Sequence, residues 1–129
     1  MTKSNQEMLA LNPFVGIWNT EGKSKSSEDA DTISMVATDV YEWMPGKRFL
    51  LHRVDARMGT ERMRSIEIIG YDDEKDELFS NSYDDKGAVS QFKCGLEEHD
   101  WVISGNGLRF HGAFDRDWQE LSGTWELEE

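Results

Sequence analysis

Hydrophobic and polar residues alternate with a period of two along most of the chain after its first sixteen residues. Turn-forming residues interrupt the alternation roughly every eight to twelve positions, a pattern typical of short antiparallel strands. No helical pattern lies between two of these segments, so parallel crossover connections are excluded. The predicted strands are Ile17–Lys25, Thr32–Met44, Arg48–Met58, Glu61–Tyr71, Glu77–Tyr83, Ala88–Leu96, Trp101–Ser104, Leu108–Phe114 and Glu120–Leu127.

The residues between the predicted strands have the chemistry of tight turns. Asn106-Gly107 is the strongest hairpin signal in the chain, because both residues tolerate positive φ. Gly59-Thr60 predicts a second two-residue tip, and Pro45-Gly46 suits a tight turn. A long meander must protect its two edge strands, and closure into a barrel removes them. The sequence therefore predicts an all-β fold, a closed antiparallel meander β-barrel.

The first thirteen residues predict an N-terminal segment with one short helix, at about residues 5 to 11. Ser4 and Glu7 have the spacing of a capping box, and Pro13 ends the helical run. Such a short helix is not stable alone, so we expect it to pack against the barrel. A length of 129 residues suits one core, and residues 1–129 are predicted to form a single domain.

Composition narrows the possible partners and the compartment. The formal net charge of −12 repels phosphate backbones and anionic lipids, so we expect neither nucleic acid nor a membrane as partner. A single cysteine, Cys94, excludes an internal disulfide and a multi-thiolate metal site. The N-terminus does not resemble a signal peptide, and these features together favour a cytoplasmic protein. The oligomeric state is left open.

The Gly-x-Trp sequence Gly16-Ile17-Trp18 follows the short helix, as it does at the start of lipocalin-like barrels. The chain resembles an uncharacterised bacterial family of lipocalin-like proteins of unknown function. This resemblance covers most of the chain and implies a calycin-type barrel, a bacterial origin and a Trp18 that closes one end of the cavity. It brings no established activity. The segments that carry it are Gly16–Gly22, Tyr41–Gly46, Phe49–Val54, Ile68–Asp72 and Ser82–Gly87.

A second resemblance is to nitrobindin-type haem barrels, which begin with Gly-x-Trp-x-Gly-x-Gly. Thr20 stands here in place of the middle Gly of that motif. The late haem-ligating histidine of those barrels has no matching segment, and His111 is the residue that could replace it. This resemblance keeps a haem-binding barrel among the alternatives, and the cofactor is otherwise unknown.

Hairpin register brings three polar residues together. With a two-residue tip at Gly59-Thr60, His52 lies directly opposite Glu67, and a turn at Asp72–Asp76 places Ser82 opposite Glu67. A carboxylate beside an imidazole raises its pKa and orients the ring, so His52 and Glu67 are a candidate catalytic acid–base pair. The protonated ring would offer a donor to a carboxylate, enolate or carbonyl oxygen. The alternative is a cross-strand pair on the solvent face.

The second predicted strand supplies a candidate ligand-binding wall. Tyr41 and Trp43 share its more apolar face with Met35 and Ala37, and we expect this face to point inward, with Trp18 and Ser82 nearby. Asp39 lies on the same face and would need a partner. Arg48 and Arg53 are candidates, and water at a barrel mouth is the alternative.

Three functions remain open from the sequence. The first is binding of a small apolar or amphipathic molecule in the barrel interior. The second is an enzyme that uses His52 and Glu67 as an acid–base pair, and the third is a haem barrel through His111. No metal site is predicted, because the acidic turn Asp72–Asp76 lacks the later glycine and glutamate of a calcium loop.

Overall fold

Nine antiparallel strands in sequential order form one strongly curled sheet, a half-barrel, in a computed structural model that describes residues 2–24 and 31–127. The nine predicted strands are confirmed, although Lys25, the predicted end of the first strand, lies outside the described residues. The strands are β1 Gly16–Ser24, β2 Ile33–Trp43, β3 Leu50–Met58, β4 Glu61–Asp72, β5 Glu77–Asp84, β6 Val89–Glu97, β7 Asp100–Gly105, β8 Leu108–Phe114 and β9 Leu121–Leu127.

The N-terminal helix, α1, spans Lys3–Leu9 and is followed by a short 3-10 helix at Asn12–Phe14. It begins two residues earlier than predicted, because Thr2 rather than Ser4 is the N-cap: the Thr2 hydroxyl accepts a hydrogen bond from the Asn5 N–H at 3.2 Å. Pro13 lies within the first turn of the 3-10 helix, where its missing N–H costs no hydrogen bond. α1 packs against β4.

Two hairpin tips have the predicted geometry. Gly59 has a φ of 62°, and Met58 pairs with Glu61 on either side of the tip. Asn106 and Gly107 both have positive φ, at 52° and 76°, as a type I′ turn requires. The turn after β2 is wider than Pro45-Gly46 alone predicts, because Trp43 pairs with Leu50 and Met44 N bonds Phe49 O.

The two ends of the half-barrel differ. The tips at Gly59, Gly87 and Gly107 lie at one end, which we call the open end. At the opposite, closed end the N-terminal segment fills the sheet, and the ring of Phe14 packs 4.9–5.0 Å from Tyr41, Trp101 and Phe114. The buried core therefore lies at the closed end.

The expected closed barrel is present only as a half-barrel. β1 and β9 are the two edges of the sheet and do not pair with each other in the part of the chain that the structure describes. Trp18 packs edge-on against Phe114 across this gap, with ring centroids 6.0 Å apart. At the closed end, side-chain packing therefore connects the two sides of the sheet, where the prediction expected paired strands. No helix among residues 2–24 and 31–127 has the length and apolarity to cross a membrane.

Candidate functional site

The imidazole of His52 lies between two carboxylates on the concave face of the sheet. Its Nδ1 is 2.8 Å from Glu67 Oε1, and its Nε2 is 2.7 Å from Asp39 Oδ1. The ring stacks on Tyr41, with centroids 3.9 Å apart and planes inclined by 10°. We call Asp39, His52 and Glu67 the ionic cluster.

Register and burial explain why these side chains meet. His52 pairs with Glu67 on β4 and with Tyr41 on β2, and Glu67 pairs in turn with Ser82 on β5. The side chains of His52, Asp39 and Glu67 are 11%, 13% and 15% exposed. The predicted pairing of His52 with Glu67 is confirmed. The alternative, in which this pair lies on the solvent face, is excluded by the low exposure of both side chains.

Hydrogen-bond valence fixes the charge of His52. A neutral imidazole has one N–H and one acceptor nitrogen, but here both nitrogens meet a carboxylate, so both must donate. Burial by itself lowers the pKa of His52, but the hydrogen bonds to Asp39 and Glu67 and the two negative charges outweigh it and raise the pKa to about 8. His52 is therefore an imidazolium at neutral pH, and the ionic cluster carries a net charge of −1.

Asp39 is the member of the cluster that sequence reasoning left without a partner. Its Oδ1 accepts from His52, and its Oδ2 accepts from the Thr20 hydroxyl at 2.5 Å. Burial alone raises the pKa of Asp39, but these two hydrogen bonds hold it below its ordinary value. The suggested partners are wrong: Arg53 pairs with Glu42 at 2.6 Å on the convex face, and Arg48 is not a partner.

The three predicted aromatic residues have different roles. Tyr41 is wedged between His52 and Phe14, and burial, with the nearby carboxylates, raises its pKa well above the ordinary value, so it remains a neutral phenol. Trp43 donates its indole N–H to Asn12 Oδ1 at 3.0 Å. Trp18 is partly buried and donates its indole N–H to Phe14 O at 2.7 Å. Both tryptophans therefore anchor the N-terminal segment at the closed end.

Two serines of β5 also point to the concave face. Ser82 lies opposite Glu67 in the register, but its hydroxyl takes no part in the hydrogen bonds of the cluster among the described residues. Ser80 is fully buried, and its hydroxyl has no hydrogen-bond partner in residues 2–24 and 31–127. Burial raises the pKa of the neighbouring Cys94 thiol to about 12. The thiol is therefore not a nucleophile at neutral pH.

The other two histidines lie away from the cluster. His111 points to the convex face with its side chain 55% exposed, 3.7 Å from Asp100, so it is not an interior ligand for haem. His99 stacks on Trp118 with ring centroids 4.1 Å apart and donates a hydrogen bond to Asp115 O. Within the described residues, no group of three or more His, Cys, Asp or Glu side chains has a geometry that could hold a metal ion.

Apolar side chains continue the concave face from the cluster to the open end. β2, β3 and β4 supply one wall, and β6, β8 and β9 supply an aromatic wall in which Trp125 lies 5.3 Å from Phe110 and 6.3 Å from Phe92. Met63 and Trp125 are 45% and 53% exposed. The inward residues of the first wall near the open end are Met35, Ala37, Ala56, Met58 and Met63.

This arrangement changes the chemistry expected of His52. Both N–H groups already donate to Asp39 and Glu67, so the ring has no further N–H for a ligand oxygen. An acid–base role for His52 would also require one of these two hydrogen bonds to break. Glu67 Oε2 accepts no hydrogen bond from the described residues and is not among their fully buried unpaired polar atoms, so it is the oxygen of the cluster that remains open to a donor.

Comparison with known proteins gives a family but no activity. A search of the curated proteins finds no match to the chain. The family described as "Protein of unknown function (DUF1579)" matches residues 3–95, from α1 into β6, and so includes Thr20 and all three members of the ionic cluster. This match covers more than half of the chain, which therefore belongs to that family of unknown function.

Proposed function

We propose that the protein binds a small apolar or amphipathic molecule on its concave face, with the polar end of the molecule at the ionic cluster. The tail would lie between the two apolar walls that lead to the open end. This is the first of the three functions considered from the sequence. The enzyme and haem alternatives are not proposed, because both ring nitrogens of His52 are occupied and His111 is on the convex face.

The buried ionic cluster carries the proposal. Removing charged groups from water costs several kcal/mol for each ion, and their mutual attraction seldom returns more than this. Apolar residues at Asp39, His52 and Glu67 would serve a purely structural interior as well or better. A strongly perturbed histidine in a concave apolar surface is a common property of binding sites.

The exposed apolar residues near the open end support the same function. Ile33, Met63 and Trp125 occupy inward positions of their strands, yet each is 44–53% exposed. Apolar surface that lines a concavity without being covered favours a ligand over a filled core. We further propose that the protein is a lipocalin-like ligand-binding barrel, because the Gly-x-Trp motif lies at the beginning of β1.

The test is a titration of the purified protein with N-phenyl-1-naphthylamine, a neutral apolar dye whose fluorescence rises when it leaves water. We expect saturable binding of one dye molecule. The variant Ala37→Trp places a large ring on the inward face near the open end and should weaken binding by about tenfold or more, roughly 1.4 kcal/mol.

Val36→Trp is the matched control, since Val36 precedes Ala37 on the same strand but points outward and is 54% exposed. It should bind the dye as the native protein does. Absence of saturable binding to the native protein would overturn the proposed function. Equal weakening by the two variants would also do so, because the dye would then not occupy the concave face.

A further inference from the structure

We infer that the polar end of the bound molecule is a protonated amine held by Glu67, so that the ligands are amphipathic ammonium compounds. This inference rests on the proposed function and specifies its ligand class. The ionic cluster combines one imidazolium with two carboxylates and therefore presents a net negative charge to the concave face.

Hydrogen bonding in the cluster excludes an anionic head group. The imidazolium donates both of its N–H groups to carboxylates, and the Thr20 hydroxyl donates to Asp39. A ligand carboxylate would therefore meet the net negative charge of the cluster, and the N–H groups of His52 and the hydroxyl of Thr20 would not be free to donate to it. A ligand ammonium would meet Glu67 Oε2, an acceptor with no partner among the described residues, in a charge-assisted hydrogen bond.

The distribution of charge over the two faces supports the same ligand class. The strands contain seven Lys and Arg residues, and every one occupies an exposed, outward position. His52 is thus the one cationic side chain on the inward positions of the described strands, where four acidic residues also lie. The outward basic residues are Lys23, Arg53, Arg57, Arg62, Arg64, Lys93 and Arg109; the inward acidic residues are Asp39, Glu61, Glu67 and Asp84.

Partial burial makes this charge effective. Glu67 is 15% exposed, so solvent reaches the cluster but screens it less than it screens the ion pairs of the convex face, whose side chains are up to 65% exposed. An ammonium that reaches Glu67 would also keep its tail against the apolar walls. Both ends of an amphipathic amine are then satisfied in one orientation.

The experiment compares three ligands that share a ten-carbon tail: decylamine, decan-1-ol and decanoate. Each is used below its micelle concentration, at pH 7 and about 150 mM salt. Affinities are measured by calorimetry and by displacement of N-phenyl-1-naphthylamine. The amine should bind about tenfold or more tightly than the alcohol, and the decanoate should bind most weakly. In Glu67→Gln, the ratio of the amine affinity to the alcohol affinity should fall to a value between about 1 and 3.

Glu42→Gln is the matched control, because it removes the same charge from an exposed position on the convex face. It should leave the ratio unchanged, which separates local recognition from attraction by the overall charge. The comparison among the three ligands on the native protein needs no variant, so a Glu67→Gln protein that fails to fold does not remove the test.

The outcomes separate the two proposals. Equal affinity for amine and alcohol, or tightest binding of decanoate, would overturn the ammonium inference while leaving the proposed function intact. Failure of all three ligands and of the dye to bind would overturn both. A ratio that falls equally in Glu42→Gln and Glu67→Gln would also overturn the inference.

Discussion

Asp39 is the single residue that most changes the chemistry of the site. With Glu67 alone, His52 would be a cation with one free N–H, suited to an oxygen ligand. Asp39 takes that N–H at 2.7 Å and turns the cluster into a net anion. Its own second oxygen is held by Thr20, so the arrangement is fixed from both sides.

His52 should link stability to pH. Its folded pKa is raised from 6.5 to about 8, so the protonated ring stabilises the fold fully below about pH 6.5, and this contribution is lost as the pH rises through 8. A shift of this size corresponds to about 2 kcal/mol. NMR titration should give a midpoint near 8, and urea unfolding should show the free energy of unfolding falling between about pH 6.5 and pH 8.5.

Two variants test the cause of this pH dependence. Asp39→Asn removes one of the two carboxylates, so the His52 midpoint should fall and the loss of stability above neutral pH should shrink. Asp55→Asn changes the same group on the convex face, where the ion pair with Arg62 is half exposed, and should leave the titration unchanged. A native midpoint at or below 6.5 would contradict the assignment of His52 as an imidazolium.

At the scale of the strands, β8 and β9 carry a pair of glycines directly opposite each other. Gly112 pairs with Gly123, and the ring of Phe110 lies over both. A Cβ added at Gly123 would lie 2.4 Å from His111 O and 2.5 Å from Gly112 Cα, so the backbone itself would have to move.

Gly123→Ala should therefore lower the free energy of unfolding by about 1–3 kcal/mol, the usual cost of overpacking. Gly95→Ala on β6 is the matched control, because a Cβ there meets no atom within 4 Å, and its effect should be within about 0.5 kcal/mol. Urea unfolding of both variants is the measurement. Equal free energies of unfolding for the two variants would contradict this prediction, because β8 and β9 would then accommodate the added methyl group without loss of stability.

Strand prediction succeeded where the determining interactions are local. The period-two pattern and the turn residues act within a few positions, and the two-residue tip at Gly59-Thr60 was enough to pair His52 with Glu67. The wider turn after Trp43 shifts the register of β2 by two residues relative to a two-residue turn at Pro45-Gly46. Either register leaves Asp39 on the face of His52, so parity alone would have identified the missing partner.

The closed end could not be predicted in the same way. It depends on Phe14, whose ring meets residues far away in the chain, and no local pattern specifies such contacts. The N-cap was misplaced because Thr2 and Ser4 are both good caps. Trp43 was assigned to the ligand wall from its face and Trp18 to one end of the barrel from a resemblance, and neither signal shows that their indole N–H groups bond the N-terminal segment.

For the whole molecule, the two sheet edges give a test of barrel closure. Within residues 2–24 and 31–127, β9 pairs only with β8 and β1 only with β2, whereas β4 has a paired strand on each side. Hydrogen exchange followed by NMR should therefore show the slowest amides in β3–β5 and unprotected amides on the free edges of β1 and β9. Protection of both edges to the level of β4 would instead indicate that the two strands pair in solution, as the sequence-based barrel requires.

The packing of Phe14 also has a consequence for the order in which the chain is made. Phe14 leaves the ribosome early in synthesis. Phe114, whose ring packs against that of Phe14, follows about one hundred residues later. At roughly 5–20 residues per second, the N-terminal segment waits about 5–20 s for its last contact. During that time Leu11 and Phe14, both buried in the finished fold, are open to chaperones and to other nascent chains.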